Sequence, residues 1–500
     1  MRRFVIFIIS LLIGVTQSFA SVGKIDQLVG DELSRVGIVP SERCSDEVFV
    51  RRVYLALAGQ LPTIDECSSF LADGNMAKRD ELINALLDSE KFVDVLVLKW
   101  GDLLKVKSEF PSNIWPNGVQ AYNRWIREQM RVNRPYNEFV VELLTSTGSN
   151  FRSPAVSFYR AFVQRTPEII ADNIELLFLG RREVQPHAAE FFSQIKYKST
   201  GEWKEEIVYV DLDTEVVHRE VMMSDGRRVT LRSGVDLRGV YARWLTSDKN
   251  KQFADVMANR VWYWLFGQGI VHEPDDFRDD NTPSNSKLLD YLGGRLIELN
   301  YDVRALIKEI VNSGTFQRSS LSTPENRAEG LRLFAYYPTT RLSAEQIIDG
   351  ISRLTGVNDR YVSRVPEPYS YYPVDLCSSD IGDATVSSPQ LDLFGRPSRD
   401  NSLESGRTNI LNSKQTLYLL NSNTIIAKID GSSDIEQMVG ECSSREEVID
   451  NVYLMLLSRY PSGKERETIS GIFASEGGDI AVARSLIWAI INTSEFLFNH

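Results

Sequence analysis

Five carboxylates, an imidazole and an amide fall within ten residues, His272-Glu273-Pro274-Asp275-Asp276-Phe277-Arg278-Asp279-Asp280-Asn281. Two chemistries fit such a run. Oxygen donors at this density suit calcium or magnesium, with Asp275, Asp279 and His272 as the candidate ligands, although the central glycine and spacing of an EF-hand loop are missing. Adjacent acids can also divide acid and base roles once their surroundings separate their pKa values, which makes Asp275 and Asp276 the candidate catalytic pair. The plain alternative is a polar loop in which an aspartate caps a helix and Arg278 pairs with a carboxylate. A second cluster, Phe394-Gly395-Arg396-Pro397-Ser398-Arg399-Asp400 followed by Arg407, puts guanidinium groups where they could clamp a sulfate, phosphate or carboxylate, or else tie a loop to nearby acids. A third, Asn259-Arg260-Val261-Trp262-Tyr263-Trp264-Leu265-Phe266-Gly267, could stack on sugars, though an apolar stripe at helical spacing is more often core. Asn259, Arg260, Arg278, Arg396 and Arg399 are therefore the candidate ligand-binding side chains.

Other chemistries lack their residues. The four histidines are His187, His218, His272 and His500, and none stands in a His-x-x-x-His or His-Glu-x-x-His pattern. No Gly-x-Ser-x-Gly, Walker loop or Cys-x-x-Cys occurs. The four cysteines, Cys44, Cys67, Cys377 and Cys442, allow three pairings in an oxidising compartment. A helix between Cys44 and Cys67 would separate them by about 20 Å of rise. A disulfide needs Cα atoms within about 7 Å, so that pairing is not expected.

The elements that must position these groups are mainly helical. Ser45 reads as the cap of a helix carrying Phe49, Val53 and Leu57, ended by Gly59 and Pro62. Thr63 with Glu66, Ser343 with Gln346, and Ser462 with Glu465 read as capping boxes. Thr166-Pro167-Glu168 opens a helix that stops at Gly180. After about residue 200 the pattern changes. Ile207–Val210, Val216–Met222 and Val229–Leu231 are β-rich, with Ser224-Asp225-Gly226 as a hairpin turn. The expected fold is two helical domains, 21–200 and 236–500, with a small antiparallel β insert at 201–235. A Pro-, Ser-, Tyr- and Asp-rich stretch at 357–407 has little periodicity, and a loop of that length is either functional or disordered.

The first 20 residues have the layout of a cleaved secretory leader. Arg2 and Arg3 precede the apolar run Phe4–Val15, and small residues end the segment at Ala20. Cleavage there would leave about 480 residues, roughly two to four domains by length, with no later apolar stretch suited to a membrane span. It would also take the formal net charge of −12 to −14. An acidic chain is a poor general binder of nucleic acid or anionic membranes.

Several segments are familiar in their order: Arg51-Arg52-Val53-Tyr54-Leu55; Arg134-Pro135-Tyr136-Asn137-Glu138-Phe139; Phe178-Leu179-Gly180; Asn259-Arg260-Val261-Trp262; Phe266-Gly267-Gln268-Gly269; Asp275-Asp276-Phe277-Arg278; Arg341-Leu342-Ser343-Ala344-Glu345; and Phe394-Gly395-Arg396-Pro397. The chain resembles the planctomycete-type secreted proteins built from a paired set of domains of unknown function, often found beside a planctomycete cytochrome c domain. The resemblance implies two family domains and no established reaction. Such proteins typically carry Cys-x-x-Cys-His just after the Phe-Leu-Gly segment. Here Arg181-Arg182-Glu183-Val184-Gln185-Pro186-His187 follows, so a covalent c-type haem is not expected and His187 stands alone as a residual metal ligand. The Pro-Ser-His of the family reads Pro283-Ser284-Asn285, and no cytochrome segment is expected before Ser45. These readings favour a non-haem binding or scaffold protein of the cell envelope, secreted or periplasmic, with an envelope protein or glycan as partner. A hydrolase acting on extracellular polymers and a redox protein are the alternatives.

Overall fold

In a computed structural model, residues 23–110, 112–183, 185, 187–216, 219–363, 372–473 and 478–500 are described. The segment expected to be a secretory leader lies outside them. The fold is mainly α, with 54% of residues helical and 5% in strands, so the strands can only be adjuncts to helix packing. No helix among the described residues is long and apolar enough to cross a membrane.

Local chemistry sets the helix ends. The Asp46–Leu57 helix starts at Ser45, whose hydroxyl accepts from Val48 N at 3.4 Å. Both reciprocal bonds of the box are present at Thr63 and Glu66, at Ser343 and Gln346, and at Ser462 and Glu465. Each satisfies two amides that the first helical turn leaves open. Pro167–Leu179 ends on Gly180 at φ 62°, where a Cβ would press into the Phe277 ring, so both the backbone and the packing demand glycine.

The β-rich stretch differs from the expected single insert. Glu206–Val210 pairs antiparallel with Ile195–Ser199 on one side and with Gly148–Ser149 on the other. In that register Val208 lies opposite both Tyr197 and Gly148. Two of the three strands thus come from within the sequence range assigned to the N-terminal helices. Arg219–Met222 and Arg228–Leu231 form a separate hairpin around the expected turn. The reason is burial: Val208, Val221 and Leu231 all join the main apolar core, which neither sheet could cover alone.

That core also joins the two helical halves. It runs from Ile25 to Tyr337, with Leu454. The Lys251–Phe266 helix is its axis, buried at Phe253, Met257, Val261, Trp262 and Phe266. Phe253 stacks on Tyr136 at 4.6 Å and lies 6.4 Å from Phe178, both from the first half. A second apolar cluster holds Leu342–Leu497 together with Leu55 and Leu61. The apolar clusters therefore separate near residue 340, not near 235. Across that division Thr340–Arg341 pairs with Phe498–Asn499 at the C-terminus.

The 357–407 stretch contributes to the second cluster through several of its described residues. Pro389–Leu393 is a short helix, and Ile381, Val386, Leu391 and Phe394 are buried. All four cysteines are free thiols.

Candidate active-site cleft

Asp275 and Asp276 are neighbours that face opposite surroundings. Asp275 is buried: its Oδ1 accepts from Arg260 Nη2 at 2.7 Å and its Oδ2 from Glu404 N at 2.6 Å. Arg260 is wholly buried and also donates to Leu177 O at 3.0 Å. Asn259 staples the loop that delivers Asp275, donating to Val271 O and Pro274 O and accepting from Val271 N at 2.9 Å. Asp276 turns to the side where Arg278 Nε (2.8 Å) and Arg182 Nε (3.6 Å) stand. Burial opposes its ionisation, and Arg278 outweighs that and holds the carboxyl below its ordinary range. Both acids of the expected catalytic pair are thus engaged in ion pairs. Asp279 is exposed on the surface.

Arg399 and Arg407 tie the loop to the protein, and Arg396 braces it internally. Arg396 Nη2 donates to Val386 O at 2.7 Å and to Asp392 at 2.9 Å. Arg399 grips Asp102 at 2.9 Å along with Val106 O and Gly382 O. Arg407 lies between Asp102 (2.8 Å) and Glu345. Burial opposes ionisation of Asp102 and of Glu345, but Arg407 with Arg399 at Asp102, and Arg407 at Glu345, outweigh it, so each carboxyl stays below its ordinary range. Arg399 and Arg407 are spent on internal acceptors, and the idle Nη1 of Arg396 is buried, so the anion clamp expected at Arg396 and Arg399 is not open for a ligand. His187 is half exposed, with Nδ1 2.9 Å from Glu190. Among the described residues no group of three or more His, Cys, Asp and Glu side chains is arranged to hold a metal ion.

The sequence did not single out the place where unengaged polar groups gather. A cleft of 520 Å³ opens between the two apolar clusters, within the range of small-molecule sites. Leu55 and Ala56 come from the end of the Asp46–Leu57 helix, and Lys91, Asp94, Val95, Leu98 and Lys99 from one face of Glu90–Leu103. Tyr263 and Trp264 come from the end of Lys251–Phe266, which stops on Gly267 at φ 68°, where a Cβ would overlap the Thr340 side chain. The terminal strand pair, the start of Ala344–Thr355 and residues 404–410 complete it. The aromatic run thus serves two roles: Val261, Trp262, Leu265 and Phe266 fill the core, while Tyr263 and Trp264 are half-buried at the cleft.

The floor of the cleft is electrically unusual. Glu404 is buried and accepts from Trp264 Nε1 at 2.6 Å. Burial raises its pKa, and Asp275 adds to this against the pull of Lys99 and Arg260. Burial lowers the pKa of Lys99 despite Glu404, Asp102 and Glu345 nearby. No hydrogen bond or ion pair engages Lys99 Nζ among the described residues, and the Tyr263 hydroxyl likewise has no hydrogen-bond partner among them. Burial pushes Arg341 down to about 10, and its Nε and Nη1 are buried without acceptors. A carboxyl drawn toward its neutral form beside an amine drawn the same way is a pattern found where ligands bind or protons move.

Comparison with known families agrees with the order of motifs. Residues 24–208 match the family described as PSCyt2, protein of unknown function (DUF1549). Residues 237–473 match PSD1, protein of unknown function (DUF1553). The chain belongs to the paired DUF1549–DUF1553 proteins. No curated protein and no solved structure gives a significant match. The pair spans both apolar clusters, and the cleft draws on both matched segments: Lys99 from the first, Tyr263, Arg341 and Glu404 from the second. A covalent c-type haem does not fit the residues after Phe178-Leu179-Gly180. No cysteine stands there, and Arg181 is bound to Gln252, which itself donates to Leu179 O at 2.7 Å.

Proposed function

We propose that this DUF1549–DUF1553 protein is a secreted or periplasmic binding protein of the cell envelope, and that the cleft seats its ligand, a glycan or glycan-derived molecule. The leader-like N-terminus and the acidic composition support the location. One observation carries the binding reading: Lys99 and Tyr263 line a cleft of small-molecule size and have no protein hydrogen-bond partner among the described residues. Polar groups left unpaired in a partly dry site are suited to a ligand that completes them. Half-buried Tyr263 and Trp264 add ring surface against which a sugar face can pack.

Ala56→Trp fills the cleft from the end of its helix without touching either buried ion cluster. In a thermal-shift panel of neutral and acidic mono- and disaccharides, at least one compound should raise the melting temperature of the native protein and not that of Ala56→Trp. A ligand at 100 times its Kd stabilises by about 2.7 kcal/mol, well within detection. A panel that shifts neither protein, or both equally, would count against the cleft. Consumption of the shifting compound, in place of simple binding, would turn the reading to a hydrolase with Glu404 as its acid.

A further inference from the structure

We propose that the cleft selects sugars bearing an oxyanion, a carboxylate or a sulfate ester, and seats that group at Lys99. The inference rests on the binding reading above and names the class of ligand. It follows from comparing donors with acceptors around the cleft. The acids that line it are already engaged, apart from the exposed Glu273, which stands 3.8 Å from His272. Glu345 accepts from Arg407, Asp349 accepts from Ser378 N and Ser379 N, and Asp94 pairs with Arg127. Glu404 accepts from Trp264, and burial together with Asp275 favours its protonated form, in which it too would donate.

The donors are in surplus. Lys99 carries an amine with no hydrogen bond and no carboxylate oxygen within 4.0 Å among the described residues. Arg341, 3% exposed, spends only Nη2, on Phe394 O at 2.7 Å and Thr408 O at 2.8 Å. Its Nε and Nη1 are buried without acceptors, so it adds positive charge near the cleft without offering a contact. An amine without an acceptor in a partly dry site is costly, and an oxyanion is the group that satisfies Lys99 with a charge-assisted bond. A neutral sugar would give Lys99 only a weaker, uncharged acceptor. A free ion would leave most of the 520 Å³ unfilled, along with the half-buried face of Tyr263.

Calorimetric titration of the full mature chain with glucuronate, glucose 6-sulfate, glucose and inorganic sulfate tests this. At least one acidic sugar should bind about tenfold or more tightly than glucose. Lys99→Met should weaken that binding by about 10- to 100-fold, as expected for a lost charge-assisted bond, while Lys99→Arg retains part of it. Lys99 has no protein partner to lose, so Lys99→Met should melt at or above the native temperature, and this keeps the variant interpretable. Equal binding of glucose and the acidic sugars would overturn the inference, as would unchanged binding by Lys99→Met. Inorganic sulfate binding as tightly as glucose 6-sulfate would overturn it too, since the seat would then belong to a free ion. If glucose binds equally and Ala56→Trp abolishes that binding, the oxyanion inference fails while the binding reading stands. If none of the probes binds, both fail.

Discussion

Replacing Arg407 with leucine will cost the protein about 3–5 kcal/mol at pH 7, the range seen when one partner of a buried ion cluster is removed. Arg407 sits between Asp102 and Glu345, and Arg399 reaches only the first of these. The substitution therefore leaves Glu345, itself 2% exposed, as a buried charge with no cation at contact distance among the described residues. The pH dependence has a definite sign. Asp102 and Glu345 have folded-state pKa values below the ordinary carboxylate range, so near pH 4 the unfolded chain binds more protons than the folded one. Their contribution is complete above the unfolded carboxylate values of about 4 and is lost as the pH falls through the folded values. In the leucine variant Glu345 can protonate without losing a partner. Urea unfolding of the two proteins should therefore show the widest gap at pH 7 and a narrower one at pH 4. A gap under about 1 kcal/mol at pH 7, typical of exposed pairs, would show that the cluster is not desolvated as described.

The second large effect is expected at Arg51. This residue of the Asp46–Leu57 helix is wholly buried and has no carboxylate at contact distance among the described residues. Its guanidinium instead gathers carbonyls: Leu456 O at 2.7 Å, Phe496 O at 2.8 Å and Glu495 O at 3.1 Å. Burial lowers its pKa to about 10, still far above neutral, so it stays charged. Beside it Arg52 binds Phe316 O, Arg318 O at 2.8 Å and His500 O, and lies 3.7 Å over the Tyr337 ring. Adjacent side chains of one helix thus hold both apolar clusters and the C-terminal strand. Arg51→Met should cost about 3–5 kcal/mol, the sum of two or more charge-assisted bonds. The loss should be local first. Leu342 N, which bonds Leu497 O at 2.9 Å, and the Thr340–Arg341 strand should exchange amide hydrogens faster, while the Lys251–Phe266 helix keeps its protection. Unchanged exchange at Leu342 would contradict the role given to Arg51. Lysine is no substitute, since one ammonium cannot span three carbonyls as a planar fork does.

Local features were legible in the sequence and remote ones were not. Thr63 with Glu66, Ser343 with Gln346 and the Asp225-Gly226 turn all act within a few residues, so spacing alone identifies them. The partners of Glu206–Val210 could not be read that way. Gly148–Ser149 is too short to carry an alternating pattern, and Ile195–Ser199 has only Ile195 and Tyr197 to mark one. Asp275 and Asp276 looked like a pair because they are adjacent, yet a turn sends consecutive side chains to different partners. Arg399 and Arg407 looked like parts of a clamp because their acceptors, Asp102 and Glu345, lie far away in the chain.

The cleft was missed for the same reason. Lys99 is one lysine on an amphipathic helix, and such residues usually reach water. The charges that act on it include Glu404 and Arg407, about 300 residues on. A faint signal existed. Lys91, Asp94, Val95 and Leu98 recur at intervals of three and four away from the core stripe of Phe92, Leu96 and Trp100, and Lys99 lies on the border between the two. That second stripe mixes charge with apolar residues, as a helix with a binding face as well as a core face would.

The most direct test of the account is the reactivity of Lys99 itself. A brief pulse of an acetylating N-hydroxysuccinimide ester at pH 7.5, mapped by peptide mass spectrometry, reports which amines are both neutral and reachable. The account predicts that Lys99 is modified ahead of exposed lysines such as Lys249 and Lys464, because burial lowers its pKa and the cleft admits the reagent. An acidic sugar that binds should then protect it. If Lys99 stays unmodified while the surface lysines react, its amine is sealed or paired, and the cleft is not the binding site.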